Sequence, residues 1–360
     1  MKHAVVFLTL IFTCCVLFSQ SPELEMRGVD NSYLEQQEKC GIKFSKNGQN
    51  MPVLQILNEA GVNWIRLRLW HTPKDDWNNL EHTLKVAQKI KAADFRFLLD
   101  IHYSDDWADP SKQNIPKAWE KYNFTELCTA FEEYTAQITE AFNNADCTPD
   151  MIQIGNEITN GMLWQYGKLS GNRGIKNFTE LLKIAAGIIR ENCPNTKIML
   201  HIDKGDNNAV SKWFFNIMKA YNVDYDVIGL SYYSYWNGKS IDDIGKNIVS
   251  LKKLFGKDVC IAETSYMWTL KWNDNCGNIA GTPEQLIDKY PATAEGQKNY
   301  LADLCRTVAT SGGCGVFWWE PTAVAAKGFP SSLENTTWFD FDCNYNGTGD
   351  VFSDFCSECK

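Results

Sequence analysis

A single (β/α)8 barrel is the fold that this 360-residue sequence predicts. Three observations carry that expectation. Short apolar runs alternate with helix-period stretches along the chain, the runs number eight, and nearly every run ends in polar or aromatic residues. No low-complexity tract, like-charge block or Pro/Ser-rich linker divides the sequence, so one domain over 21–360 is expected. The competing architecture, an open doubly wound sheet, usually carries a Gly-rich phosphate loop after its first strand, and none is present.

The elements follow in order. Residues 25–30 (EMRGVD) form a short first strand candidate. An amphipathic helix near 53–60 leads through Gly61 to NWIRLRLW at 63–70, where period-2 alternation sets Arg66 and Arg68 on one face and Ile65, Leu67 and Leu69 on the other. A helix over 80–93 precedes the strand 96–102, which opens into the loop YSDDWADPSKQ. A long helix over 125–145 precedes IQIGNEITNG at 152–161. Helices at 178–191, 212–220, 244–255 and 294–310 then alternate with strands at 197–202, 226–231, 258–265 and 315–319. That gives eight strands with seven helices between them, and a C-terminal segment to close the ring.

Residues 1–20 are expected to be a secretory signal peptide. Lys2 and His3 precede the apolar run 4–18, which is shorter than the ~20 residues a membrane-spanning helix needs, and small residues follow at 19–21. Secretion, to the outside or to a periplasm, is therefore expected. Without Lys2 the chain carries 34 basic against 44 acidic side chains, a net charge of −10. That balance argues against nucleic acid, an anionic membrane or an acidic polymer as partner, and favours a neutral substrate; a monomer is expected. Eleven of the 13 Cys lie outside the signal segment, so a monomer keeps at least one free thiol. Cys260, Cys305 and Cys314 sit in apolar stretches and read as buried free thiols, disulfides are expected among the others, and Cys356 with Cys359 reads as a terminal staple. Sequons at Asn123, Asn177, Asn335 and Asn346 would carry sugar only after a eukaryotic secretory route.

The chemistry centres on Glu157 and Glu263, each ending an apolar run. Carboxyls at the carboxyl ends of two barrel strands face one open pocket. Two such groups are the minimum equipment for cleaving a glycosidic bond, one to protonate the leaving oxygen and one to attack or stabilise the anomeric carbon. An Arg beside Glu263 would keep it charged, and Asn156 could bind the sugar 2-hydroxyl. A lone acidic residue at a strand end is usually a helix cap, but here clusters converge. Arg66 and Arg68 lie on the second strand and Asp100 and His102 on the third. His201 and Asp203 end the fifth, Tyr232, Tyr233 and Trp236 the sixth, and Trp318, Trp319 and Glu320 the eighth. Trp107, Trp236, Trp268, Trp318 and Trp319 are the aromatic candidates for stacking on sugar rings, whereas Trp64, Trp119 and Trp213 are expected in the core. No HExxH, paired CxxC, GxSxG or phosphate loop occurs, and five His leave little room for a multi-His metal centre.

The blocks GVNWIRLRLWHTP (61–73), LLDIHYSDDWADPSKQ (98–113), IQIGNEITNG, DVIGLSYYSYW (226–236), IAETSYMWT (261–269) and FWWEP (317–321) together resemble glycoside hydrolase family 53. The resemblance runs from about Met26 to Asp354. It implies a (β/α)8 barrel and an arabinogalactan endo-β-1,4-galactanase that cuts internal bonds in the galactan side chains of pectin. It also implies double displacement with retention, Glu157 as general acid/base and Glu263 as nucleophile. Arg66 or Arg68 would orient Glu263, Asn156 would hold the sugar at the cut, and His102, Tyr232 or Tyr233 and Trp318 or Trp319 would line the central subsite. No cofactor is required. Some members bind a structural calcium in the loop after the seventh strand. This chain has KWNDNCGNIAG there, with Cys276 where a His is expected and Asp274, Asn275 and Asn278 as remaining oxygen ligands. Two other readings compete: a mannanase or glucanase on the same barrel, and a carbohydrate-binding protein without catalysis.

Overall fold

The computed structural model describes residues 22–356, so the expected signal peptide over 1–20 and Cys359 lie outside the described residues. Eight parallel strands close into a barrel: β1 (Met26–Asp30), β2 (Trp64–Leu69), β3 (Arg96–Ile101), β4 (Met151–Ile154), β5 (Lys197–Ile202), β6 (Val227–Ser231), β7 (Asp258–Thr264) and β8 (Gly315–Trp319). Neighbours in the ring are neighbours in sequence, and β1 seals it by pairing β8 from Met26↔Gly315 to Asp30↔Trp319 and β2 from Gly28↔Trp64 to Asp30↔Arg66. Outside lie α1 (Leu34–Lys39), α2 (Val53–Glu59), α3 (Leu80–Ala92), α4 (Phe124–Asn144), α5 (Gly171–Asn192), α6 (Asn208–Ala220), α7 (Ile241–Phe255) and α8 (Ala294–Thr310). α1 and a two-stranded ribbon, Ser45–Lys46 with Gln49–Asn50, decorate the first loop.

The strands are buried on both faces, which splits their side chains into two cores. Outward residues such as Ile65, Leu67, Leu69, Leu99, Ile152 and Ile154 pack with the helices. Each such burial stabilises the fold by roughly 1.5–3 kcal/mol. The lower interior is a plug of Met26, Trp64, Leu98, Met151, Met199, Val227, Cys260 and Phe317. Gly28 lies in this layer because a Cβ there would stand 2.2 Å from the Phe317 ring.

Side-chain caps start several helices: Asn79 accepts from His82 N–H, Asn123 forms a capping box with Glu126, and Ser240 accepts from Asp243 N–H. Three helices begin before their apolar period does. α5 starts at Gly171 rather than 178, because its first turns carry mostly polar or glycine residues, while α6 and α7 start at the Asn207 and Ser240 caps. Trp213, expected in the core, is 45% exposed, since the inward stripe of α6 is Ser211, Phe214, Phe215 and Met218. In place of an eighth outer helix after β8, the 3-10 helix Thr348–Phe355 packs on α8. Leu24 N–H donates to Phe355 C=O at 3.1 Å, which ties the two chain ends together.

Cys40, Cys128, Cys147, Cys193, Cys260, Cys276, Cys305, Cys314 and Cys343 are free thiols, so the expected disulfides do not form among them; Cys356 is disulfide-bonded. Of the sequons, Asn335 is fully buried and donates to Ala280 C=O at 2.6 Å, which removes it as a sugar acceptor in the folded chain.

Gly28→Ala is expected to destabilise the barrel by about 1–3 kcal/mol through overpacking. A urea midpoint lowered without a change in slope, and recovered in part by Gly28→Ala with Phe317→Leu, checks this.

Candidate active site

The inward side chains above the apolar plug are polar, and one guanidinium organises them. Arg66, 1% exposed on β2, pairs through Nη1 with Asp30 at 2.8 Å and through Nη2 with Asp100 and Glu263 at 2.8 Å each. Nη2 also donates to Asn156 Oδ1 at 2.9 Å, and Nε donates to Gln153 Oε1 at 3.2 Å. Glu263 ends β7 and receives a second bond, from the Tyr233 hydroxyl to its Oε2 at 2.8 Å. Burial leaves the Glu263 carboxyl above its ordinary value, although the Arg66 charge and the Tyr233 bond pull it down.

Glu157 follows β4 in a tight turn. Gly155 at φ +76° and Glu157 at φ +47° are both left-handed, a conformation that costs a non-glycine residue about 1–2 kcal/mol. The turn swings Glu157 into a cleft of about 430 Å³ shared with Asp109, Asp203, Lys204, Tyr233 and Trp236. Its Oε1 accepts from Ser231 Oγ at 2.6 Å, and Ser231 is the register partner of Glu263 across β6 and β7, so the two glutamates face one space. Burial and the Glu263 charge push Glu157 well above the usual carboxylate range, with only the Ser231 bond opposing. Of the pair, Glu263 ionises first and Glu157 holds its proton.

A second ion cluster lies beside the first. Arg68 pairs with Glu320 at 2.8 Å and stacks between Tyr33 at 4.2 Å and Trp107 at 4.4 Å. Burial, and then the nearby Asp30, push Glu320 well up. His102 donates from Nε2 to Asp100 at 2.9 Å, because its Nδ1 accepts Ala108 N–H at 3.1 Å.

The sequence profile described as Glycosyl hydrolase family 53 matches residues 26–351. The chain belongs to this family. A probable arabinogalactan endo-β-1,4-galactanase A of Neosartorya fischeri is 35% identical over 332 residues, 89% of this chain and 90% of that one. An arabinogalactan endo-β-1,4-galactanase of Cellvibrio japonicus is 34% identical over 328 residues, 87% and 86% of the two chains. The solved Ignisphaera aggregans GH53 catalytic domain matches with a TM-score of 0.87 at 34% identity, over 92% of this chain and 96% of that one.

In this family 53 glycoside hydrolase the structure sorts the residues singled out in the sequence. Glu157, Glu263, Asn156, Asp100, His102, His201, Tyr233 and Arg66 form one connected network. Arg66, not Arg68, holds Glu263. Tyr232 and Trp318 point the other way, into the core between barrel and helices, where Tyr300 lies against both rings, so neither lines the cleft. Successive strand residues face opposite sides, which leaves Tyr233 and Trp319 on the cleft side, 5.9 Å apart, with Trp107 5.9 Å beyond Trp319. Trp236 is 58% exposed at the cleft, while Trp268 packs on Phe341 in the loop after β7. His102 and Asn156 are buried and spend their polar atoms on protein partners: Asn156 Nδ2 donates to Ala108 C=O at 2.8 Å.

Sequence reasoning missed Asp30, Gln153 and Ser231. The first two left a signal, an acid at a strand end and a lone amide inside the apolar run MIQI. Ser231 left none.

Among the described residues no three His, Cys, Asp or Glu side chains gather as a metal group. The two Asp274 oxygens accept from Cys276 N–H at 2.7 Å and Ser331 N–H at 2.9 Å, Asn275 is exposed, and Asn278 lies against Glu334. Asp274 thus cross-links its own loop, while the Asn278 amide and Glu334 Oε2 are buried without a hydrogen-bond partner among the described residues.

Tyr233→Phe removes a bond to the ionised Glu263 and raises its pKa. The acid limb of the kcat/KM profile is expected to move up by about one pH unit, with the circular dichroism spectrum unchanged.

Proposed function

We propose that this hydrolase cuts internal β-1,4-galactosidic bonds of galactan and arabinogalactan with retention, using Glu157 as acid/base and Glu263 as nucleophile. The observation that carries the roles is the opposed environment of the two carboxyls: Arg66 and Tyr233 hold Glu263 as the anion, while Glu157 is buried beside that charge with one neutral donor. The substrate is supported by the names of the two galactanase relatives and by a cleft that offers aromatic faces to a neutral sugar.

In the first step Glu157 gives its proton to the glycosidic oxygen as Glu263 attacks the anomeric carbon, and the aglycone leaves. The glycosyl ester forms on Glu263, and the Arg66 and Tyr233 bonds turn to its departing charge. Glu157, now ionised, takes a proton from water, which attacks the same carbon and releases Glu263. The two inversions give net retention, and such pairs stand about 5–5.5 Å apart. No resident metal enters these steps. The pectin context, export through the 1–20 segment and action as a monomer belong to the same proposal.

Reducing-sugar release from linear β-1,4-galactan, with mannan, xylan and cellulose in parallel, tests substrate and nucleophile together. Release from galactan alone, lost by about 10⁴-fold or more in Glu263→Gln, is expected. Activity on mannan or cellulose instead would replace the substrate, and no activity on any glycan would favour a binding protein. A second expectation is that EDTA leaves rate and melting temperature unchanged. A fall in melting temperature restored by Ca²⁺ alone would put a cation in the loop after β7.

A further inference from the structure

Behind Glu157 lies a line of side chains that the chemical steps do not use. Ser231 Oγ stands 2.6 Å from Glu157 Oε1 and 2.8 Å from His201 Nε2. His201 Nδ1 is 3.1 Å from Gln153 Nε2, and Gln153 Oε1 accepts from Arg66 Nε at 3.2 Å. All of these residues except Glu157 itself are fully buried or nearly so, and every link lies within one layer of β2, β4, β5 and β6.

Donor and acceptor chemistry, starting from Arg66, suggests a direction for each bond. Arg66 has only donors, so Gln153 must present its carbonyl oxygen to it and its NH2 to the opposite side. That NH2 gives one hydrogen to Asp100 Oδ1 at 2.6 Å, and Gly155 C=O at 3.0 Å, His201 Nδ1 at 3.1 Å and Asn156 Oδ1 at 3.2 Å share the other, which the chain assigns to His201. A donor facing Nδ1 requires a lone pair there. Burial, and then the Arg66 charge, hold His201 neutral, so its single proton is on Nε2 and points at Ser231. Asn156 Oδ1, 3.0 Å from the same Nδ1, would invite the other tautomer, but it already accepts from Arg66 Nη2 at 2.9 Å. Ser231 has one hydrogen; with its oxygen accepting from His201, that hydrogen goes to Glu157 Oε1.

We propose that Gln153, His201 and Ser231 form a one-way hydrogen-bond chain, polarised by Arg66, that keeps Glu157 Oε1 an acceptor and so places the acid's proton on Oε2. His201 and Ser231 are positioning residues for Glu157. The proposal rests on Glu157 being the acid. It gives the carboxyl a fixed orientation of its proton before substrate arrives, and it stabilises the anion once the proton has left. Its pH consequence must be read against every group facing Glu157: Glu263 from β7, Asp203 and Lys204 after β5, Asp109 after β3, and Tyr233 and Tyr235 after β6. None of these changes in the variants below.

The test combines kinetics on β-1,4-galactan with ¹⁵N spectra of histidine-labelled protein, His201 being assigned by its loss in His201→Gln. Removing the donor in Ser231→Ala raises the Glu157 pKa, so the alkaline limb of kcat/KM is expected to move up by about one pH unit while the acid limb stays. His201→Leu moves the same limb the same way, and His201→Gln, whose amide can donate to Ser231, restores it. The spectra are expected to show His201 protonated on Nε2. An alkaline limb unmoved in Ser231→Ala, or a His201 proton on Nδ1, overturns the proposal. Glu157→Gln that keeps full activity on galactan would instead remove the acid assignment itself, and the tautomer would still be legible in the spectra.

Discussion

A buried guanidinium facing three carboxylates is the constraint on which the upper half of the barrel depends. Arg66 spends its donors on Asp30, Asp100 and Glu263, and each partner comes from a different strand. Desolvating so many charges is costly, and removing any one partner leaves the others uncompensated by several kcal/mol. The arrangement therefore resists drift in any one strand. It also couples structure to chemistry, because the group that holds β1, β2, β3 and β7 together is the one that keeps Glu263 ionised.

From that centre the environment changes over a short distance. Glu263 feels a cation and a phenol, Glu157 feels a serine and the Glu263 charge, and Glu320 lies against Arg68 and Asp30. Three carboxyls with the same ordinary acidity are thereby set apart, Glu157 and Glu320 pushed well up and Glu263 less so. Below them the interior is apolar and tightly filled, so the charge cluster sits on a rigid floor. The left-handed residues Tyr103, Glu157 and Glu320 turn the chain sharply where strands end, and two of the three carry site carboxyls.

Much of this was legible in the sequence, and what was not has a common cause. Strand and helix alternation gave the barrel, and the acids at run ends gave both glutamates, because these depend on local pattern. The choice between Arg66 and Arg68, both on the inward face, depends on height in the barrel; two residues along a strand is about 6–7 Å, enough to exchange Glu263 for Glu320 as partner. The choice between Tyr232 and Tyr233, or Trp318 and Trp319, depends on which way a strand end is rotated, and one residue of register reverses it. Ser231 was invisible because a serine at a strand end acquires meaning only from the His201 and Glu157 placed beside it by other strands. Trp213 shows the reverse error, a large aromatic counted as core although its helix turns it outward.

The bond between Leu24 and Phe355 has a geometric consequence. Both ends of the described chain emerge together beneath the barrel, where the strands begin, and the cleft opens at the opposite pole where they finish. A tether or partner module attached at either end would hold the enzyme from behind, with its cleft turned outward.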